Sequence, residues 1–257
     1  MESPAETSPP SVHVHAARLT YGGRALFDEL DFTLQSGIWT CLLGPSGVGK
    51  STLLRLIAGL VPASVEGTVS CDDGLPVADR AAYMAQQDLL LPWLSVRENV
   101  ALGDRLRGGK RRDLAGGPAA ALLEAVGLAS QADDLPSTLS GGMRQRAALA
   151  RTLAEDRPLV LMDEPFSALD VITRVRLQAL FAELLRHRTV LLVTHDPLEA
   201  LRLGHRVYVM AGRPARLSEP LEPSGSPPRN LHDPKLLALQ ADLLDLLSAA
   251  ADSELAP

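Results

Sequence analysis

The stretch GPSGVGKST, residues 44–52, holds the residue types that bind phosphate groups. It fits the pattern G-x-x-x-x-G-K-[ST], follows an apolar run that predicts a strand, and precedes a helical pattern. Glycines in such a loop let backbone N–H groups turn toward phosphate oxygens, and the helix N-terminus adds partial positive charge. We expect Lys50 to neutralise the β- and γ-phosphates and Ser51 to offer a hydroxyl to Mg²⁺. The predicted contacts are Gly44, Pro45, Ser46, Gly47, Val48, Gly49, Lys50, Ser51 and Thr52.

Two carboxylates follow a second apolar run, LVLMDE, residues 159–164. A buried strand would place Asp163 and Glu164 at its carboxyl end, where open α/β sheets bind ligands. We expect Asp163 to hold Mg²⁺, directly or through water, and Glu164 to polarise the water that attacks the γ-phosphate. His195 ends the next apolar run, VLLVTHD. Its position leaves two interpretations open, a hydrogen-bonded loop residue or a contact with the γ-phosphate and that water.

A second glycine site, LSGGM, opens another helical pattern. Ser140 is placed to cap this helix, and Gly141 and Gly142 follow it, an arrangement typical of phosphate binding. One nucleotide cannot easily reach both glycine sites if the intervening segment separates them. The simplest geometry is two chains head to tail, in which Ser140 and Gly142 of one chain contact the γ-phosphate held by Lys50 of the other.

The elements around these sites predict an α/β fold. Alternating apolar residues from Val12 indicate a small antiparallel β subdomain, and the apolar runs before residues 44, 163 and 195 fit buried strands of a mostly parallel sheet flanked by helices. Helical patterns with glycine interruptions predict an α-helical subdomain inserted at about residues 88–154. Residues 1–11 are expected to be a disordered tail.

After Gly212 the sequence becomes proline-rich and then leucine-rich, which predicts a C-terminal extension over residues 213–257 with a short amphipathic helix. This helix either docks on the same chain or packs against a helix of a partner.

Composition limits the function. The chain has 257 residues, 25 basic and 31 acidic, and a net charge of −6, which argues against a general nucleic-acid binder. Its two cysteines, Cys41 and Cys71, do not have metal-ligand spacing. We expect no secretory signal in the first residues and no run of about 18 apolar residues that could span a bilayer. Any work at a membrane would therefore require a partner.

With these motifs in this order, residues 12 to about 212 resemble the ATP-binding subunit of an ABC transporter, with a P-loop NTPase core. The resemblance identifies Ser140, Gly141, Gly142 and Met143 as the signature, although Met143 stands where glutamine is frequent. It implies that Tyr21 stacks on adenine and that Gln86, chosen over Gln87 by its spacing to LLPW, touches Mg²⁺. It further identifies the loop from Ser167 to Asp170 as the one that crosses the dimer interface, and His195 as the switch histidine.

The resemblance also implies cofactors and partners. Two copies of the chain would close on two ATP molecules with Mg²⁺ and drive an integral membrane permease from the cytoplasmic face, as a peripheral subunit. A solute-binding protein would act indirectly, and no nucleic acid is expected.

The run LLPW is similar to importers of nitrate, sulfonates, taurine and pyrimidine precursors of thiamine. Pro92 and Trp93 lie near the surface expected to receive a helix of the permease; alternatively they only turn and anchor the insertion. A soluble mechanical ATPase of DNA repair or translation is the alternative function, but such proteins usually join two cassettes or contain long coiled coil. Neither feature is present in this sequence.

Overall fold

The computed structural model describes residues 9–61, 65–108 and 117–255. Its strands within these residues are β1 Val12–Tyr21, β2 Arg24–Leu34, β3 Trp39–Leu43, β4 Glu66–Cys71, β5 Ala81–Met84, β6 Leu159–Asp163, β7 Thr189–Val193, β8 Arg206–Ala211 and β9 Arg216–Leu217. Its α-helices are α1 Lys50–Ile57, α2 Val96–Val100, α3 Leu102–Leu106, α4 Pro118–Ala125, α5 Gly141–Ala154, α6 Val171–Leu184, α7 Pro197–Leu203 and α8 Pro234–Leu255. Short 3-10 turns lie at Ala78–Arg80, Ala129–Gln131 and Pro136–Thr138.

The strands form two sheets. β1 is the middle strand of an antiparallel three-stranded sheet in the order β2-β1-β4. The larger sheet has the order β5-β6-β7-β3-β8-β9, and its strands are parallel except for β9, which runs antiparallel to β8. The predicted fold class, a mostly parallel core with a small antiparallel β subdomain, is confirmed.

Both faces of the larger sheet are covered by apolar side chains. Every residue of β3, β6 and β7 is buried, and neighbours along each strand face opposite sides. Val160 and Met162 belong to an apolar cluster that also includes residues of α2, α4, α5, α6, α7 and α8, whereas Leu159 and Leu161 belong to a second cluster with residues of α1 and the three-stranded sheet. This double burial explains why these strands read as continuous apolar runs in the sequence.

The helices α2 to α5 lie between β5 and β6, which is the inserted helical part of the predicted fold. Asn99 has no exposed surface, and its side-chain amide donates to the carbonyls of Leu91, Leu94 and Ser95 at 3.0–3.1 Å. The Leu91 N–H returns a bond to Asn99 Oδ1 at 2.8 Å. Asn99 therefore holds the turn that contains Trp93, while the Trp93 side chain itself is 71 % exposed and does not anchor the insertion.

Two expectations at the ends of the chain need correction. Residues 1–8 of the predicted tail lie outside the described residues, but Pro9–Ser11 are not a free tail. The carbonyl of Pro10 accepts from Thr189 Oγ1 at 2.7 Å, and that of Ser11 accepts from the Asp72 N–H at 3.2 Å. These bonds join the segment to both sheets, so its ordering depends on contacts distant in sequence.

The C-terminal helix is also longer than the short one predicted, because α8 has 22 residues. It packs on α7 and β8, with Leu236 and Leu243 buried. The segment before it is held by Arg229, whose guanidinium donates to the carbonyls of Leu201, Gly204 and Pro223 at 2.7–2.8 Å. In this structure α8 therefore packs on its own chain.

None of the helices in the described part of the chain combines the length and the apolar character needed to span a bilayer.

Candidate active site

The loops that carry the predicted chemistry leave one edge of the larger sheet. β5, β6, β7 and β3 are parallel neighbours, and Gln86, Asp163, His195 and the phosphate loop stand at or just after their carboxyl ends. Because parallel strands end at the same edge, the sheet gathers segments that are far apart in sequence. The order places β7 between β6 and β3, so His195 emerges between Glu164 and Lys50.

The phosphate loop, residues 44–52, is shaped by glycine at two crowded positions. Gly44 has φ 146° and Gly49 has φ 115°, in the region that residues with a Cβ rarely adopt. A Cβ on Gly44 would lie 2.2 Å from the Met210 carbonyl oxygen, and one on Gly49 would lie 2.9 Å from the Phe27 ring. The loop can therefore approach β8 and β2 this closely only with glycine at both positions.

Lys50 points back into its own loop. Its Nζ donates to the carbonyl oxygens of Gly44 at 2.7 Å and Pro45 at 2.8 Å, and the residue is buried. Val48 is buried as well, whereas Ser46 and Gly47 are exposed and Ser51 and Thr52 are half-buried. Gly49 is the N-cap residue of α1 and has no side chain that could cap the helix. The first N–H groups of α1 therefore have no side-chain cap.

Asp163 is the buried acid of the site. It is 1 % exposed, and its Oδ2 atom has no hydrogen-bond partner among the described residues. Burial raises the pKa of this carboxyl, the hydrogen bond with Ser51 opposes that rise, and the charge of Glu164 adds to it. A carboxyl oxygen that is buried beside a hydroxyl and has no hydrogen-bond partner among the described residues fits a divalent cation that takes oxygen ligands. Gln86, the other predicted ligand, is exposed at the same edge.

Glu164 and His195 are brought together. His195 Nδ1 lies 3.2 Å from Glu164 Oε2, with the histidine side chain 64 % exposed and the glutamate side chain 20 % exposed. The backbone of Glu164 has φ 49°, in the left-handed region, and its N–H donates to the Val193 carbonyl at 2.8 Å. The arrangement presents a carboxylate and an imidazole at the opening of the site, where a water could lie between them and a phosphate.

The signature residues are separate from this pair. Ser140 caps α5, and its Oγ accepts from the Met143 N–H at 3.3 Å. No hydrogen bond described for these residues joins Ser140 or Gly142 to the phosphate loop. A Cβ on Gly142 would lie 3.3 Å from the Ala168 carbonyl oxygen, so Gly142 packs close to the loop of Ser167 and Asp170.

The remaining predicted contacts are divided between surface and core. Gly141 and Ser140 are exposed, while the side chain of Met143 packs against the apolar core. Tyr21, at the end of β1, is 82 % exposed and could stack on a base. Ser167 Oγ donates to the Glu164 carbonyl at 3.0 Å. Asp170 caps α6, and the hydrogen bond from the Thr173 N–H lowers the pKa of its carboxyl.

The sequence did not predict a group of residues that form hydrogen bonds with the segments carrying Glu164, Asp170 and His195. Gln145 donates to the carbonyls of Glu164 and Pro165 at 3.3 and 2.8 Å, and Arg174 donates to the Leu169 carbonyl at 3.1 Å. Glu199 is buried and accepts from Gln178 at 2.8 Å and from Thr194, the neighbour of His195. Burial raises the pKa of Glu199, opposed by these two hydrogen bonds. These residues are ordinary polar positions in α5, α6 and α7 and just after β7, and no motif in the sequence singles them out.

Comparison with known proteins finds similarity over the part of the chain that contains these motifs. The sequence model of the ABC transporter family matches residues 27–167. The aliphatic sulfonates import ATP-binding protein SsuB 2 of Burkholderia lata is 43 % identical over 254 residues, 96 % of this chain and 90 % of that protein. An SsuB 1 protein of Pseudomonas savastanoi is 42 % identical over 241 residues, 93 % of this chain and 97 % of its own length.

A solved structure has a similar fold. It is described as the dimeric structure of a post-hydrolysis state of the ATP-binding cassette MJ0796 bound to ADP and Pi. The TM-score is 0.72 at 29 % sequence identity, over 83 % of this chain and 99 % of that one.

Proposed function

This chain belongs to the ABC transporter family, and from that premise we propose that it hydrolyses ATP to drive import of an aliphatic sulfonate through a partner permease. The placement of Asp163, Glu164 and His195 beside the phosphate loop carries the hydrolytic part of the proposal. Relatives in Burkholderia and Pseudomonas, named for aliphatic sulfonate import and similar over most of the chain, support the substrate class. Nitrate, taurine and pyrimidine precursors are the other solutes of the resembling group.

We assign the binding of phosphate to the loop and to Lys50. The N–H groups at the start of α1 face the anion with the positive end of the helix dipole. Lys50 now donates to two loop carbonyls, and we expect these bonds to be exchanged for bonds to phosphate oxygens when nucleotide binds. Tyr21 is assigned to the adenine ring, for which its exposed side chain is available.

Asp163, Ser51 and Gln86 are assigned to Mg²⁺. The unpartnered Oδ2 of Asp163 beside Ser51 supports this assignment, because a buried charge without a partner is costly unless a cation compensates it. Mg²⁺ would neutralise charge that develops on the phosphate oxygens.

Glu164 is assigned as the general base. Its carboxylate lies at the end of a buried strand, so its position is fixed, yet it is partly open to solvent and can hold a water by hydrogen bonding. His195, at 3.2 Å from Glu164 Oε2, orients the carboxylate and can contact the γ-phosphate. Proton transfer runs from the attacking water to a Glu164 carboxylate oxygen.

Two copies of the chain complete two sites. The signature donors Ser140, Gly141 and Gly142, with the N–H of Met143, are assigned to the γ-phosphate held by the second copy, and Ser167 and Asp170 are assigned to the interface. ATP that contacts both copies binds the closed dimer better than the open one, and this difference shifts the population toward closure. Loss of the γ-phosphate removes the bridge and releases the closed state.

The membrane partners follow from the importer assignment. The chain is proposed to lie on the cytoplasmic face as a peripheral subunit, bound to an integral membrane permease and coupled indirectly to a solute-binding protein. The exposed Trp93, held by the turn that Asn99 stabilises, and the exposed Leu89 nearby in sequence belong to the surface expected to face the permease.

Uptake by whole cells tests the proposal. The gene for this chain is deleted, and uptake of labelled ethanesulfonate, taurine, nitrate and a pyrimidine is measured with and without the restored gene. We expect the wild-type gene to restore ethanesulfonate uptake and Glu164→Gln to fail, because hydrolysis should slow by roughly 10²–10⁴-fold. The exposed Glu183→Gln on α6 is the matched control and should restore uptake.

Each alternative outcome has a defined meaning. Taurine is itself an aliphatic sulfonate, so loss of its uptake on deletion would keep the substrate class, whereas loss of nitrate or pyrimidine uptake alone would replace the sulfonate with that solute. Unchanged uptake of all four solutes, together with purification of the chain without any polytopic membrane protein, would overturn the importer proposal.

A further inference from the structure

The backbone of Glu164 is in a conformation that needs support. Its φ of 49° lies in the left-handed region, where the Cβ of a non-glycine residue is crowded by its own backbone. Residues persist in this region only when surrounding contacts fix them. The direction of the Glu164 carboxylate therefore depends on the groups that hold its two peptide units.

Three residues hold those peptide units. The Glu164 N–H donates to the Val193 carbonyl of β7 at 2.8 Å, and the Glu164 carbonyl accepts from Ser167 twice, from Oγ at 3.0 Å and from the N–H at 3.3 Å. The third is the side-chain amide of Gln145, whose Nε2 donates to the Glu164 carbonyl at 3.3 Å and to the Pro165 carbonyl at 2.8 Å. An amide nitrogen carries two hydrogens, so Gln145 can bind both successive carbonyls at once.

Gln145 donates these hydrogen bonds from helix α5, which is distant in sequence from Glu164. It is 5 % exposed on α5, five residues after the capping Ser140. Its neighbours Ala147, Ala148, Leu149 and Ala150 are fully buried, so the helix is packed firmly around it. The bond to the Pro165 carbonyl is buried and the bond to the Glu164 carbonyl is partly buried, so removal of the amide would take one donor from each carbonyl.

We propose that Gln145 is a positioning residue that fixes the backbone of Glu164, and thereby links the helix that begins at the signature to the base of hydrolysis. The inference rests on the proposed function, because it assigns Glu164 as the base and Ser140 to the nucleotide of the second copy. A movement of α5 on closure of the dimer would be transmitted through one side chain to the carboxylate that activates water.

The test is a double-mutant cycle in the purified full-length chain. Gln145→Met keeps the volume and removes the donor. We expect kcat for ATP hydrolysis to fall by about 10–10²-fold, because a small displacement of a catalytic group has a cost of that order, with KM changed by less than about twofold. In the Glu164→Gln background the same substitution should lower the residual rate by less than about twofold, since the group it positions is already absent.

Thr152→Val is the matched control, because Thr152 is equally buried on α5 but bonds only to the Ala148 carbonyl of its own helix. It should leave kcat unchanged. A purely structural role for Gln145 predicts instead a lower melting temperature and a loss of rate of equal size in both backgrounds. That result, or an unchanged kcat in Gln145→Met, would overturn the inference.

Two further outcomes separate this inference from the proposed function. If Glu164→Gln retains full turnover, the base assignment itself is wrong and the inference falls with it. If Glu164→Gln is slow while Gln145→Met is as fast as the wild type, only the inference is overturned. Should Gln145→Met fail to fold, Gln145→Asn keeps an amide one methylene shorter and gives the same cycle with a smaller displacement.

Discussion

The sheet edge and the signature helix present the same kinds of groups to phosphate but solve different physical problems. At the edge, the Asp163 carboxylate is buried with an oxygen that has no partner, and Glu164 has a left-handed backbone. At the start of α5, Ser140 is exposed and its hydroxyl oxygen already accepts from the Met143 N–H of its own helix. The edge is costly to fold without its ligands, whereas the signature is stable without them.

This difference indicates that the sheet edge and the signature have separate roles in the proposed site. Groups proposed to hold Mg²⁺ and a water act more strongly when they are desolvated, and one chain provides that burial for Asp163. Groups that close the site from outside must stay accessible to a second surface. Three experiments test this contrast, and they are ordered here from the largest expected effect to the smallest.

Mixing two inactive variants tests whether the signature acts on the other copy. Lys50→Ala damages the phosphate loop and Ser140→Arg blocks the signature, so each homodimer should be inactive. In a mixed dimer that shares sites across chains, one site carries both lesions and the other carries neither. Random mixing should restore about a quarter of wild-type ATPase activity, because half of the dimers are mixed and each has one intact site.

The control for this recovery is a mixture in which both chains carry Lys50→Ala. That mixture should remain inactive at every ratio. If Lys50→Ala and Ser140→Arg chains also show no recovery, although mixed dimers are detected by mass, then the signature does not serve the opposite copy.

Asp163→Asn tests the cost of the buried carboxylate. Burial raises the pKa of Asp163 in the folded state, so the folded chain binds protons more readily than the unfolded one. Wild-type stability therefore falls as pH rises from the ordinary aspartate pKa of 3.8 through the raised pKa of the folded state, and the variant lacks this loss. Without nucleotide and Mg²⁺ at pH 7, we expect Asp163→Asn to melt higher, by about 2–4 °C for each kcal/mol gained.

Adding nucleotide and Mg²⁺ should reverse the order, because ligand binding stabilises the wild type and the variant has lost a ligand. Thermal melts with and without Mg²⁺–ATP at pH 5 and pH 7 measure this, with the exposed Asp242→Asn on α8 as the control. A variant that melts below the wild type without ligands would show that the carboxylate stabilises the fold, contrary to the contrast drawn here.

Substitution of Ser140 should have the smallest effect on stability, and it should lower stability, whereas Asp163→Asn should raise it. Ser140→Ala removes the cap of α5 and should lower stability by about 1 kcal/mol. Asparagine caps helices about as well as serine, so Ser140→Asn should melt near the wild type while its ATPase rate stays low, because the bulkier amide replaces the hydroxyl. Melting curves and rates of both variants separate the cap from the contact with phosphate. Full activity in Ser140→Asn would remove the hydroxyl from that contact.

Much of the fold could be predicted because the apolar runs and the positions of the chemistry-bearing residues indicated the same sheet. Apolar runs marked β3, β6 and β7 as buried strands, and the chemistry-bearing residues followed them directly, so a parallel sheet was bound to bring them to one edge. The length of α8 and the ordering of Pro9–Ser11 were not predicted, since both depend on contacts with distant segments. The roles assigned to Tyr21, Gln86 and the signature remain predictions.

By itself the sequence determined the phosphate loop, the paired carboxylates and the family of the chain, because these depend on residue types at short, fixed spacing. Only the tertiary structure decided that β7 lies between β6 and β3, which brings His195 to 3.2 Å from Glu164. Only it showed that Gln145 holds the backbone of Glu164 and that Asp163 has an unpartnered oxygen. Strand order and side-chain partners arise from packing between segments many residues apart, and local spacing carries no record of them.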